Sequence, residues 1–173
     1  MGREIRQVPP NWEHPKRSPD NDPYKRGGYQ PMYNSRFEER FAEWLADFDR
    51  IRAGDLTDFE RECYPSGLAE WLQDEGVAPH PAYYVPYKSE DATWFQVYET
   101  VSEGTPVSPP FATKEELIDY LAAHGDFWDQ KRGHGPWGRE AAARFVEVEW
   151  APSMMTNLTS DGLEVKTPRD GIV

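Results

Sequence analysis

Large apolar side chains recur at helical spacing from Phe37 onward. Phe37, Phe41, Trp44, Leu45, Phe48 and Ile51 stand at i, i+4, i+7, i+8, i+11 and i+14, with Glu39, Glu43 and Asp47 between them. This spacing predicts an amphipathic helix with a buried aromatic stripe and an acidic outer face. Ser35-Arg36-Phe37-Glu38 reads as a capping box opening it, and the helix should run to about residue 53 and stop at Gly54. A second helix is predicted over 67–75 after Ser66, carrying Leu68, Trp71 and Leu72 and stopping at Gly76. Ala42-Glu43-Trp44-Leu45 before Asp47 is echoed by Ala69-Glu70-Trp71-Leu72 before Asp74, a likeness that two amphipathic helices produce without a duplicated unit.

Period-two alternation marks strand 93–101, where Trp94, Gln96, Tyr98 and Thr100 face away from Phe95, Val97, Glu99 and Val101. Thr113-Lys114-Glu115-Glu116 is a second capping box, opening a helix with Leu117, Ile118, Tyr120 and Leu121 that ends by Gly125. A further helix over 139–147 buries Ala142, Phe145 and Val146, and 156–167 reads as a hairpin around Ser160-Asp161-Gly162. Between the first helices and the strand, Pro79, Pro81 and Pro86 among Tyr83, Tyr84 and Tyr87 predict an extended crossing segment over 77–92. At the start, Pro9, Pro10, Pro15, Pro19, Pro23 and Pro31 with Gly27-Gly28 predict an extended arm pinned by Trp12, Tyr24, Tyr29 and Tyr33. The expected fold is α+β: a small antiparallel sheet packed with three or four helices. The expected division is a Pro-rich arm over 1–33, packed on a single domain over 34–173.

Composition adds three things. The mean hydropathy of −0.85 comes from charge and from sixteen Pro, while seven Trp, nine Tyr and eight Phe across 173 residues supply a core of ordinary size. A lone Cys63 forms no internal disulfide, and the start Met-Gly-Arg-Glu-Ile-Arg has no apolar leader pattern, so a cytoplasmic protein is expected, with no membrane span. In that setting the sequon Asn157-Leu158-Thr159 has no use. The net charge of −12 is uneven: residues 36–76 hold twelve acids against five bases, and 89–129 nine against one. Acidity of this size opposes nonspecific binding to nucleic acid.

Motifs of chemistry are sparse. Gly133-x-Gly135-x-x-Gly138 has the spacing of a dinucleotide fingerprint, but no hydrophobic strand precedes it, Pro136 removes an amide and Trp137 crowds the turn. A weaker reading survives, in which Lys131, Arg132, His134 and Arg139 around a glycine-rich helix start hold an anion and Trp128 and Trp137 stack a base. That reading predicts that these six side chains converge on one pocket, with Trp94 or Tyr98 nearby. His14, His80, His124 and His134 have no metal-ligand spacing, and no serine, threonine or cysteine sits in a nucleophile motif. No catalytic residue, metal or cofactor is expected.

Three stretches carry a family likeness: Arg3-Glu4-Ile5-Arg6-Gln7-Val8-Pro9-Pro10-Asn11-Trp12-Glu13-His14-Pro15, then Tyr98-Glu99-Thr100-Val101-Ser102-Glu103-Gly104-Thr105-Pro106-Val107-Ser108-Pro109-Pro110-Phe111, then Trp137-x-Arg139-Glu140-Ala141-Ala142 through Trp150-Ala151-Pro152-Ser153. They resemble small uncharacterised proteins encoded by bacteriophages and prophages, a family with no assigned activity or site residue. The resemblance implies a bacterial host cytoplasm. The functional expectation is a non-enzymatic accessory protein that binds a host protein or complex, in host interaction or counter-defence. The alternative is a nucleotide or small-anion binding protein, or a hydrolase, using residues 128–139. A minor virion or assembly component ranks below both, since the chain has neither heptads nor long repeats.

Overall fold

A computed structural model describes residues 2–17, 28–74, 77–101, 104–159 and 162–170. In chain order the elements are β1 (Gly2–Val8), β2 (Tyr33–Arg36), α1 (Phe37–Arg52), α2 (Asp58–Cys63), α3 (Leu68–Asp74), β3 (Tyr84–Val85) and β4 (Trp94–Glu99). Then follow β5 (Thr105–Pro106), α4 (Lys114–His124), α5 (Phe127–Arg132), α6 (Arg139–Val148), β6 (Trp150–Pro152), β7 (Met155–Thr159) and β8 (Gly162–Lys166). The fold is α+β. Among the described residues it has more helices than the sequence pattern predicts, and no helix is long and apolar enough to cross a membrane. Contacts divide the chain into two units, residues 1–32 with 87–173, and residues 33–86.

The first unit is built on an antiparallel sheet in the order β5-β4-β1-β6. β1 is an inner strand, with Ile5 opposite Val97 and Arg3 opposite both Glu99 and Ala151. The opening of the expected arm is therefore the sheet's centre, which corrects the reading of 1–33 as a segment packed outside the body. The reason is electrostatic. β1 carries Arg3 and Arg6 at buried positions, where an ordinary inner strand would carry apolar residues, so its pattern hides its place. Each arginine has an answering group: Arg3 bonds Asp126, and Arg6 bonds Glu4 and the Met32 carbonyl.

Helices α4 and α6 pack together, and Leu117, Leu121, Ala142, Phe145 and Val146 join Val97, Val107, Trp137 and Ala151 in one core. Each large aliphatic or aromatic member contributes about 1.5–3 kcal/mol by leaving water. The capping box at α4 forms as predicted, with Glu116 N–H to Thr113 Oγ1 and Thr113 N–H to Glu116 Oε2, both 3.1 Å. Strands β7 and β8 pair as the expected hairpin, with Leu158 opposite Leu163; the turn residues 160–161 lie outside the described residues, as do Tyr24, Ser102 and Gly76. Gly104, at φ +87°, sits where any side chain would meet the Met32 carbonyl and the Arg6 guanidinium.

In the second unit β2 and β3 pair in parallel. Ser35 belongs to β2, so α1 is capped by Arg36 without a side-chain hydrogen bond, and the box expected at Ser35 does not form. A short helix that the hydrophobic pattern does not predict, α2, is opened by its own box. Glu60 N–H meets Thr57 Oγ1 at 3.2 Å and Thr57 N–H meets Glu60 Oε2 at 2.8 Å. Glu60 also takes both Arg50 nitrogens, at 2.6 and 2.8 Å, which ties α2 to α1. Ile51, Tyr64 and Trp71 form this unit's core, with Trp44, Phe48, Leu56 and Leu68 packed around it.

Candidate functional site

The residues expected to form an anion site do not converge. Trp137 is 5% exposed and belongs to the core, its indole N–H donating to Asp129 Oδ2 at 2.5 Å. Trp128 donates to Glu99 Oε2 at 2.9 Å, and Lys131 and Arg132 both lie over its ring at 5.5 Å. His134 faces Asp129, while Arg139 is held by Asp119 and Glu115 on α4. Tyr98 is buried in the sheet and Trp94 is half-buried at the start of β4. The cause lies in segment 126–132, to which the sequence pattern assigns no element. Asp126 caps it, through Asp129 N–H to Oδ1 at 2.9 Å, and turns it into α5, so Lys131 and Arg132 fold back over the Trp128 ring while Asp129 takes up the Trp137 indole and faces His134. Among the described residues no cluster of three or more His, Cys, Asp or Glu could hold a metal ion.

A different place in the first unit does gather side chains: a cavity of about 600 Å3 between the N-terminal segment, the 106–110 loop and helices α4 and α5. Its floor is a closed polar network. Trp12 Nε1 donates to the Tyr98 hydroxyl at 3.2 Å, and that hydroxyl lies 3.1 Å from both His14 Nδ1 and Gln96 Oε1. Gln96 Nε2 donates to the Ser108 carbonyl at 2.7 Å, while Ser108 Oγ accepts from Val97 N–H at 2.9 Å. Backbone bonds from Val107 N–H to Val97 O and between Phe95 and Phe111 flank this loop. Between them Pro109 and Pro110 offer no amide donors, so the Gln96 and Ser108 side chains complete its hold on β4. No motif marks this network, because its members stand at positions 12–14 and 96–108 with no shared spacing.

Burial is the main force lowering the pKa of His14, and Arg6 adds to it, against a hydrogen bond to the Gln30 carbonyl that raises it. His14 is therefore held neutral, its Nε2–H donating to Gln30 O at 2.6 Å. Because its folded pKa lies below the ordinary 6.5, its contribution to stability is complete above about pH 6.5 and is lost as pH falls through the folded value. Urea titrations should therefore show that His14→Gln has a flatter dependence of stability on pH below 6.5 than the parent chain. Equal slopes would mean that His14 does not couple folding to protons.

The second unit presents a different surface. Along α1 the rings of Phe37, Phe41, Trp44 and Phe48 stack in succession, with centroids 5.4, 5.9 and 5.2 Å apart. The stripe expected to be buried is only partly so. Phe41 is 36% and Leu45 42% exposed, and only Ile51 of the six is fully buried. The unit's small core, with α3 as the partner helix, reaches the C-terminal part of the stripe and Tyr84 meets Phe37 at its start, which leaves Phe41 and Leu45 between them exposed. All five arginines of residues 36–76 pair inside the segment: Arg36 with Glu38, Arg40 with Glu43, Arg50 with Asp47 and Glu60, Arg52 with Asp49 and Arg61 with Asp58. Twelve acids against five bases leave a net −7.

Compared with known proteins, the chain matches no family model, no curated protein and no solved structure. Its function is read from these two surfaces.

Proposed function

We propose that this chain is a non-enzymatic binding protein that docks the α1 face of its second unit onto a basic surface of a host protein or complex. The observation that carries the reading is the ladder of stacked rings on α1, left partly exposed inside a segment of net charge −7. Aromatic anchors in a helical face supply binding energy, while excess acid steers a basic partner and rejects acidic ones. A surface that normally holds nucleic acid has this complementary charge. The phage resemblance supplies the setting, a bacterial cytoplasm in which such a protein acts on host machinery.

The test is capture from bacterial lysate at about 0.15 M salt, where charged surfaces are only partly screened. The parent chain should retain a specific partner that Leu45→Asp and Phe41→Asp each lose by at least about 30-fold, a hot-spot effect of about 2 kcal/mol. Leu45 is 42% exposed and outside the ring ladder, so Leu45→Asp should cost less than about 1 kcal/mol in folding. Phe41→Asp also loses two ring contacts worth about 0.5–1.5 kcal/mol each, and unfolding curves of both variants separate lost binding from lost fold. Retention of the same proteins by both variants, or binding unchanged at about 1 M salt, rejects the α1 face as the interface.

A further inference from the structure

The cavity in the first unit has the chemistry of a small-ligand site. Its walls carry exposed or half-exposed rings from separate parts of the chain, Trp12 and Tyr29 from the N-terminal segment and Tyr120 and Phe127 from α4 and α5. Phe127 is 49% exposed, although its backbone N–H is fixed to the Val107 carbonyl at 2.8 Å. An exposed ring on a fixed backbone at a cavity wall offers a face to a flat ligand at low cost in entropy. At about 600 Å3 the cavity has the size of a small-molecule site and is far too small for a folded domain.

The polar groups narrow the ligand further. On the floor, His14, Gln96, Ser108 and Tyr98 already bond one another or the backbone, so they present little unmet demand. Gln130 is different: its Nε2 donates to Tyr120 hydroxyl and to the Gly125 carbonyl, and its Oε1 points to no partner among the described residues. It remains an acceptor for a ligand N–H. At the lining Glu13 and Lys16 contribute one charge of each sign, and neither takes an ion-pair partner among the described residues. Lys131 Nζ, 5.8 Å from the Phe127 ring centroid, adds one cation beside Glu13 and Lys16, short of the clustered bases that phosphate sites use.

We infer that this cavity binds an uncharged, planar heteroaromatic molecule of nucleoside size, stacked on the Tyr29, Tyr120 and Phe127 rings and donating an N–H to Gln130 Oε1. This site lies wholly within the first unit and does not rest on the α1 reading.

Saturation-transfer NMR and calorimetry on the full chain with adenosine, guanosine, cytidine and uridine test it. At least one nucleoside should bind through its base protons, and its affinity should fall at least tenfold in Phe127→Ala. Gln130→Ala, at an exposed position, should weaken the same nucleoside at least threefold, with the fold of the variant checked by its unfolding curve. The matching nucleoside monophosphate should bind no more tightly than the nucleoside. Absence of saturation transfer to all four nucleosides overturns the inference, as does an affinity unchanged in both variants. It is also overturned by a monophosphate that binds tenfold more tightly, which would make this an anion site, or by a proline-rich peptide that binds where nucleosides do not.

Discussion

Replacing Arg3 by methionine is expected to destabilise the fold by about 3–5 kcal/mol, a large share of what a domain of this size has, because it leaves a buried carboxylate without its cation. Asp126 is 1% exposed, and its Oδ2 receives Arg3 Nε at 2.6 Å. Arg3 also donates to Ser153 Oγ at 2.6 Å and lies 3.8 Å from Glu99, so one guanidinium joins β1 to β4, to α5 and to the segment after β6. Burial pushes the Asp126 carboxyl up, and Arg3 pulls it back. Without Arg3 the carboxyl should rise further, and a carboxyl that is raised in the folded state binds protons there first. The deficit of Arg3→Met should therefore shrink as pH falls, opposite in sign to the His14 effect. Asp126→Asn, which keeps an oxygen for Asp129 N–H, should cost a similar amount. Urea denaturation of Arg3→Met, Asp126→Asn and the Arg3→Met/Asp126→Asn double variant tests the coupling. The double should cost clearly less than the sum of the singles, and strict additivity would show that the pair is not a unit.

Trp137→Ala is expected to cost about 3–5 kcal/mol, the range for a large aromatic side chain removed from a packed core. The ring packs edge-on against Phe145 at 5.2 Å, inside the cluster that joins α4, α6 and the sheet. Trp137→Phe separates two parts of that cost. It keeps most of the apolar contact and removes the indole N–H from Asp129 Oδ2, leaving a buried carboxylate oxygen short of a donor at about 1–3 kcal/mol. Thermal or urea unfolding measures both. A loss below about 1 kcal/mol for Trp137→Ala would return this residue to the surface role that its place in the Gly133–Gly138 stretch suggests.

Trp137 illustrates why the expected site was hard to read. A tryptophan between glycines and beside bases has the composition of a stacking site, but composition carries no direction. Direction came from Asp126, whose cap turns the preceding segment into α5 and aims Asp129 at the indole. The arginines of β1 repeat the lesson. Charged positions argue against an inner strand until the partners are known, and Asp126 stands 123 positions away from Arg3. The helix α2 was legible in principle, since Thr57 and Glu60 have capping-box spacing, but its six residues carry too little apolar periodicity to signal a helix.

Local pattern by itself determined the helices α1, α4 and α6, the strand β4, the final hairpin and the α+β class, because capping, periodicity and turn preference act between residues a few positions apart. Tertiary structure alone decided that the N-terminal segment enters the sheet and that the Trp12, His14, Gln96 and Tyr98 groups close one polar network under a cavity. It alone decided that the ring ladder of α1 stays partly exposed. Those outcomes depend on which distant groups can neutralise a charge, satisfy a hydrogen bond or cover a ring, and such pairing energies have no period along the chain.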